Sequence, residues 1–320
     1  MRPLCVAAQV APRGSSRRLQ RAATDFGADE AFAAAAGKLR EHYGLEIAVT
    51  RIRKICEHHA QRLAAAVSEP ARTLAPCGPA AIVAEADGTM IPVVDTPAPA
   101  PGLDRRRHRA VRWQEMRLVA ARAHGQIATH YAAGFDEPAT AGVRWTQVVR
   151  QAGWSAQTFV HGVGDGAEWI ADQFQHHFGR HGRYTLDLFH VCDYLAAAAP
   201  IPAASAEFVA SHRQHLREGR TEQVIAALAA RREPPDQPDE LAPVRQAHRY
   251  LSRRRDQLDY PAALARDLPV GSGLVESSNR HVLQARLKKA GAWWTPSNAH
   301  AMAQLRVCRA NGDWDQLWAN

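Results

Sequence analysis

The spacing of apolar positions changes its period along the chain. In residues 1–78 the period is helical. Phe32, Leu39 and Tyr43 share one face of a segment that Asp29 can cap and Gly44 can end. Ile52, Ile55 and Leu63 do the same over residues 49–67, with Arg51, Arg53 and Lys54 near the start. Helix, glycine turn and basic helix have the outline of a DNA-reading helix-turn-helix. They also fit two packed helices with a solvated basic face.

From Ala80 the period shortens. AAIVAEADGTMIPVV predicts a strand, a turn at Asp87-Gly88 and a second strand. A proline-rich loop follows, containing the basic run Arg105–Arg109. The stretch from Arg112 fits strands or a helix equally, and VRWTQVVRQAGW, ending at Trp154, has helical amphipathicity. Thr158 to Val163 predicts a buried strand leaving through Gly164-Asp165-Gly166, and Glu168 to Phe178 a helix. The scheme repeats with a strand through Leu186 and a helix through His190 and Tyr194. Alternating strands and helices predict an α/β sheet flanked by helices. Residues 200–268 carry no strand signal; they are charged, helical and broken by prolines, as in EPPDQPDELAP. They form an expected all-helical insertion, after which 269–320 returns to a compact pattern.

Composition adds modest limits. With 320 residues, 46% of them hydrophobic, the chain can bury a substantial core. No run reaches the roughly 18 apolar residues of a membrane span. The opening apolar run is short and broken by Gln9 and Pro12, unlike a signal peptide. The five cysteines are scattered without a CxxC pair, which argues against a disulfide framework or zinc ribbon and fits a cytoplasmic protein. Cys56-Glu57-His58-His59 has no second ligand pair to complete a metal site, and His176, His177 and His181 lack a ligand partner at suitable spacing. The net charge of +8 favours a polyanion such as nucleic acid, although an Arg- and Ala-rich composition alone gives such a surplus. GVGDGA and GSGLVES are glycine-rich without completing a P-loop, and no GxSxG elbow occurs.

Three acids stand out. Asp87 and Asp165 each follow an apolar strand and precede a glycine, and Glu276 heads a late helix. Functional groups of α/β sheets gather at the carboxyl ends of strands. Carboxylates there are costly to desolvate unless paired or metal-bound. Brought together, the three could hold two Mg²⁺ ions about 3.5–4 Å apart, a site suited to in-line phosphodiester displacement. Singly, each has a plainer explanation: a turn for Asp87, a helix N-cap for Asp165, a helix-terminus acid for Glu276. Gly271 and Gly273 would let a DNA backbone approach closely. Arg280, Arg286, Lys288 and Lys289 follow Glu276 and are suited to phosphate contact whatever the base sequence.

DGTMIPV at Asp87, VHGVGDGAEWI, YTLDLFHVCDYLAAAA and GSGLVESSNRHVLQARLKKAGAWW resemble, in that order, the DDE-type insertion-sequence transposases of the ISKra-like group, within the Mutator-like assemblage. ADEAFAAAAGKLREHYGLEI and LRVCRANGDWDQLW extend the resemblance over most of the chain. It implies an RNase H-like mixed sheet flanked by helices. The core would occupy 79–199 and 269–320, interrupted by the helical insertion and preceded by an N-terminal helical region. The acids would lie on the first strand, after the fourth strand and on a late helix, positions matched by Asp87, Asp165 and Glu276. Asp187 and His190 match an auxiliary D-x-x-H motif that positions DNA or the active site; a helix cap and a core histidine are the plainer alternative. Trp293 and Trp294 could stack on an unpaired base; two adjacent tryptophans on different helix faces, one in the core and one on the surface, are the plainer alternative. Relatives often carry paired cysteines in an N-terminal segment, and this chain shows none.

The implied activity is DNA cleavage and strand transfer with two Mg²⁺ ions, Mn²⁺ being an alternative. The implied partners are double-stranded terminal repeats and target DNA. The resemblance further implies a homo-oligomer on DNA, a nucleoid-associated location and no membrane. A nuclease or resolvase without strand transfer, or an inactive DNA-binding remnant, are the competing readings.

Overall fold

The computed structural model describes residues 14–64, 73–95 and 110–319. The Arg105–Arg109 run and the last three positions of the second predicted helix, 65–67, lie outside the described residues.

Among the described residues, three helices come first: α1 (Arg17–Asp29), α2 (Phe32–Tyr43) and α3 (Val49–Ala64). Helix α2 ends at Gly44, which takes the left-handed conformation at φ 63°, a geometry glycine adopts without steric cost. Its start differs from expectation. Asp29 is the last residue of α1, and the cap position of α2 is Ala31, with no side-chain bond. Asp29 instead accepts from Arg306 and Arg309, tying α1 to the late helix Pro296–Ala310 that carries both.

Among the described residues, one five-stranded sheet follows: β1 (Ala81–Asp95), β2 (Ala110–Ala123), β3 (His130–Gly134), β4 (Phe159–Gly164) and β5 (Gly182–Leu186), in the order β3-β2-β1-β4-β5. The first three strands pair antiparallel, and β1-β4 and β4-β5 pair parallel. The stretch from Arg112 is therefore strand. The turn expected at Asp87-Gly88 does not form. β1 is one strand of 15 residues, with Asp87 opposite Leu118 and Gly88 opposite Arg117. Asp-Gly permits a turn without compelling one, and here the two-residue alternation runs straight through it. Ile82, Ala84 and Ala86 are buried on one face, Val83, Ile91 and Val93 on the other.

Helices α4 (Pro138–Gln151) and α5 (Glu168–Phe178) cover the first face, where Trp145, Phe174 and Phe178 pack on Ile82, Ala84 and Ala86. The helical stretch 188–268 contains α6 (Leu188–Ala197), α7 (Ser205–Arg217), α8 (Thr221–Ala229), α9 (Pro243–Arg253) and α10 (Tyr260–Leu264). Its own core is built on Leu195, Leu216, Leu228, Leu251 and Tyr260. The chain returns through α11 (Gly273–Ser278), a π-helical stretch Asn279–Gln284, α12 (Ala285–Leu287), α13 (Pro296–Ala310) and α14 (Trp314–Trp318). Leu39 and Ile52 join Leu283, Leu287, Met302 and Leu305 in one core over the second sheet face. The N-terminal helices thus share a core with the C-terminal segment. Among the described residues, no helix is long and apolar enough to cross a membrane.

Candidate functional site

Alternation along β1 sends Glu85, Asp87 and Thr89 to the same face as Ile91 and Val93. β4 pairs with β1 only from Ala81 to Glu85. Beyond that point, β1 is met by the chain from α11 onward. Glu85 Oε2 accepts from the Val275 N–H at 2.8 Å, Asp87 Oδ2 from Asn279 Nδ2, and Thr89 Oγ1 from Gln284 Nε2 at 3.0 Å. Strand contacts two residues apart are spaced about 6.7 Å. Their helical partners are four and then five residues apart, and a fifth residue in an α-helix has turned off the contacting face. The wider π turn returns Gln284 to the strand.

Asp87, Asp165 and Glu276 line one cleft of about 410 Å³, with His190, Asp193, Asn279 and Arg280. Asp87 sits in mid-strand, Asp165 in the turn after β4, and Glu276 exposed on α11. Burial pushes the Asp87 carboxyl up, and the charges of Asp165 and Glu276 push the same way; the Asn279 and Gly88 N–H donors oppose them. Asp165 Oδ1 accepts from the Ala167 N–H at 2.9 Å. The cap position of α5 is Ala167, without a side-chain bond, so Asp165 braces the turn and is not the N-cap. Glu276 Oε1 accepts from Ser272 Oγ at 3.3 Å.

Asp187, 1% exposed, caps α6 by accepting from the Phe189 N–H at 2.6 Å and the His190 N–H at 3.3 Å. Its other oxygen accepts from the Ser272 N–H at 2.7 Å and from the Ser272 hydroxyl. Asp187 is therefore a helix cap, although His190 is not a core residue, and the same carboxylate also fixes the start of the helix bearing Glu276. His190 lines the cleft, its Nδ1 3.8 Å from Asp193 Oδ2. Gly271 is packed beneath Phe189, where a Cβ would come within 2.6 Å of the ring; Gly273 is open.

Glu85 carries no expectation from the sequence, because the α11 segment that covers it is distant along the chain. It is 1% exposed, and burial pushes its carboxyl up to about 8, with Asp187 and Glu276 adding to the effect against the Val275 N–H and Arg122. The available signal was an acid inside an Ala/Val run, two residues from Asp87.

The carboxylate oxygens of Asp87, Asp165 and Glu276 in this lining suit a hard divalent cation. Asn279 Oδ1, buried without a partner, is a further oxygen donor beside Asp87. Among the described residues, no three acidic, His or Cys side chains already close around a point that could hold an ion. The acids line a cleft and do not meet.

Of the expected phosphate contacts, Arg280 and Lys288 are exposed, and Lys289 bonds Glu30 Oε2 at 3.1 Å. Arg51, Arg53 and Lys54 are exposed on α3. Arg51 donates to Ser15 Oγ at 2.9 Å, and Arg53 stands 3.9 Å from Glu57. Trp293 is 56% exposed. Arg286 as a phosphate contact and Trp294 as a stacking face fail, the tryptophan pair dividing into one surface and one core residue. Arg286 is 2% exposed, donates from Nε to Gly27 O at 2.9 Å, and lies 4.9 and 4.8 Å from the ring centres of Phe32 and Trp294. Burial pushes its pKa down to about 10. Trp294 is buried and donates from Nε1 to Leu287 O at 3.2 Å. Both are core contacts, because Arg286 falls in the stripe of Val282, Leu283 and Leu287 that faces the sheet.

No protein-family model matches the chain, and no curated protein matches it.

Proposed function

We propose that the protein is a DDE-type DNA transposase, cutting phosphodiester bonds at the ends of a mobile element and joining the 3′-hydroxyls to target DNA. The observation that carries this reading is the single cleft lined by Asp87 from β1, Asp165 from the turn after β4 and Glu276 from a late helix. A mixed sheet with acids on those elements supports an RNase H-like core.

Asp87, Asp165 and Glu276 would hold two Mg²⁺ or Mn²⁺ ions, with Asn279 Oδ1 as an adjoining oxygen. Bound there, the ions would activate a water or 3′-hydroxyl and neutralise the leaving oxygen. The chain's own residues supply the rest. Glu85 and Asp187 fix the helix that presents Glu276, and Asn279 orients Asp87. Arg280 in the cleft wall and Lys288 nearby meet backbone phosphates, while Arg51, Arg53 and Lys54 extend a basic surface along α3. Exposed Trp293 offers a face for an unpaired base. The element ends would be paired in a homo-oligomer on DNA.

The test is cleavage and strand transfer in Mg²⁺ with the DNA flanking the protein's own reading frame. Strand-transfer products in the wild type, absent in Asp87→Asn, Asp165→Asn and Glu276→Gln, support the proposal. Hydrolysis without transfer would make the protein a nuclease or resolvase. Activity surviving all three substitutions would remove the site assignment.

A further inference from the structure

The helical stretch reaches into the turn that carries Asp165. Tyr250 on α9 donates its hydroxyl to Asp165 O at 2.6 Å. Arg254, just after α9, donates twice to Gly166 O, from Nε at 2.9 Å and Nη2 at 2.6 Å. On the sheet side, the Gly166 N–H donates to Tyr184 Oη of β5 at 3.3 Å. The turn's backbone is thus held from two directions by side chains distant in sequence.

The holders are themselves held. The Tyr250 ring stacks on Tyr194 with centroids 4.0 Å apart and 14° between planes, and the Arg254 guanidinium lies 4.4 Å from the Tyr250 ring centre. Gly166 has φ 81°, and a Cβ there would stand 2.6 Å from both Arg254 Nε and Leu186 Cδ1. The turn therefore requires glycine and cannot shift without displacing Arg254. Neither Tyr250 nor Arg254 lines the acid cleft; their contacts end on the backbone of Asp165 and Gly166.

We infer that Tyr250 and Arg254 are positioning residues for Asp165, so that the helical stretch sets the direction of the second acid. The inference rests on the proposed reading of Asp87, Asp165 and Glu276 as metal-binding acids. Its physical basis is that a ligand must be held within about 0.5 Å of its working position by locked supporting side chains. The two carbonyl bonds supply that restraint, one of them charge-assisted.

Two variants of the whole chain test it: Tyr250→Phe, which removes the hydroxyl and keeps the stacked ring, and Arg254→Gln. Hydrogen exchange at Gly166 and Ala167 is read without metal, and Mn²⁺ affinity is read by titration calorimetry without DNA. Both variants are expected to exchange those two amides faster, with β4 and α9 at wild-type rates, and to bind Mn²⁺ about tenfold more weakly. Asp165→Asn added to Tyr250→Phe should bring less additional loss than it does alone. Unchanged Mn²⁺ affinity, with or without a general rise in exchange, overturns the inference and leaves the metal site standing. A wild type showing no Asp165-dependent Mn²⁺ binding would overturn the metal reading and the inference together.

Discussion

Glu85 holds the backbone of Val275 at 2.8 Å from the strand position two residues before Asp87, on the same face. One strand thus carries an acid of the proposed site and an anchor for the helix that supplies another. Glu85→Ala leaves the Val275 N–H buried without an acceptor and should lower stability by about 2–3 kcal/mol. Glu85→Gln keeps an acceptor of similar shape, and with a carboxyl pushed up to about 8 the native side chain is mostly neutral at pH 7. The Gln variant should therefore match wild type in denaturant midpoint and activity, while the Ala variant loses both. Equal midpoints for all three proteins would mean that the bond contributes nothing.

Asp87 is strained in the opposite sense to an ordinary salt-bridged acid. Its pKa is raised by burial and by its acidic neighbours, so at pH 7 its charge opposes folding. Asp87→Asn should raise stability in EDTA, within the roughly 0.5–2 kcal/mol usual for a single stabilising substitution. Asn279, with its Oδ1 unpartnered, can turn its amide to accept from the new carboxamide. Excess Mg²⁺ should stabilise wild type by mass action and leave the variant unmoved, reversing their order. Melting curves with and without Mg²⁺ check this; a wild type unmoved by Mg²⁺ contradicts it.

The parts of the fold legible in the sequence were those with a strong local period. Glu168 to Phe178 is the helix its pattern gives, Gly44 ends α2, and residues 200–268 are helical without a strand. Asp87 was mistaken for the end of a strand because Asp-Gly is a turn signal, whereas the pairing of Gly88 with Arg117 is fixed by β2, whose residues begin at Ala110. Arg286 reads as a surface cation and Glu85 draws no expectation for one reason: burial of a charged group depends on what packs over it, and in both cases the covering elements lie far away in sequence. The bracing of Asp165 by Tyr250 had no local signal at all.

His59 should make the N-terminal helices sensitive to acid. It is 5% exposed, its Nε2 bonds Gln20 Oε1 at 2.9 Å, and its Nδ1 is buried without a partner. Burial pushes it down to about 4, with His58, Arg62 and Arg17 adding to the effect. The native ring stays neutral while the unfolded one takes a proton near pH 6.5, so stability is lost as pH falls from about 6.5 toward 4. About 1–2 kcal/mol should be gone by pH 5. His59→Phe keeps a ring against Trp318, 4.5 Å away in the native contact, and should flatten that part of the stability curve. An unchanged slope would place the titration elsewhere.

Arg286, Arg280 and Lys288 lie within nine residues of sequence and should behave in opposite ways. Arg286 fills the space between Phe32 and Trp294 and bonds the carbonyl of Gly27. Arg286→Ala removes packing, a hydrogen bond and two ring contacts, and should cost about 3 kcal/mol. At temperatures where that variant remains folded, its DNA affinity should keep the wild-type dependence on salt. Arg280 and Lys288 are exposed, so Arg280→Ala and Lys288→Ala should leave stability within about 0.5 kcal/mol. Each should reduce the slope of log affinity against log salt by about one, the signature of one lost phosphate contact. Denaturation curves and a salt series on the three variants separate the roles. A reduced slope for Arg286→Ala, with stability intact, would return that side chain to the DNA surface and contradict its place in the core.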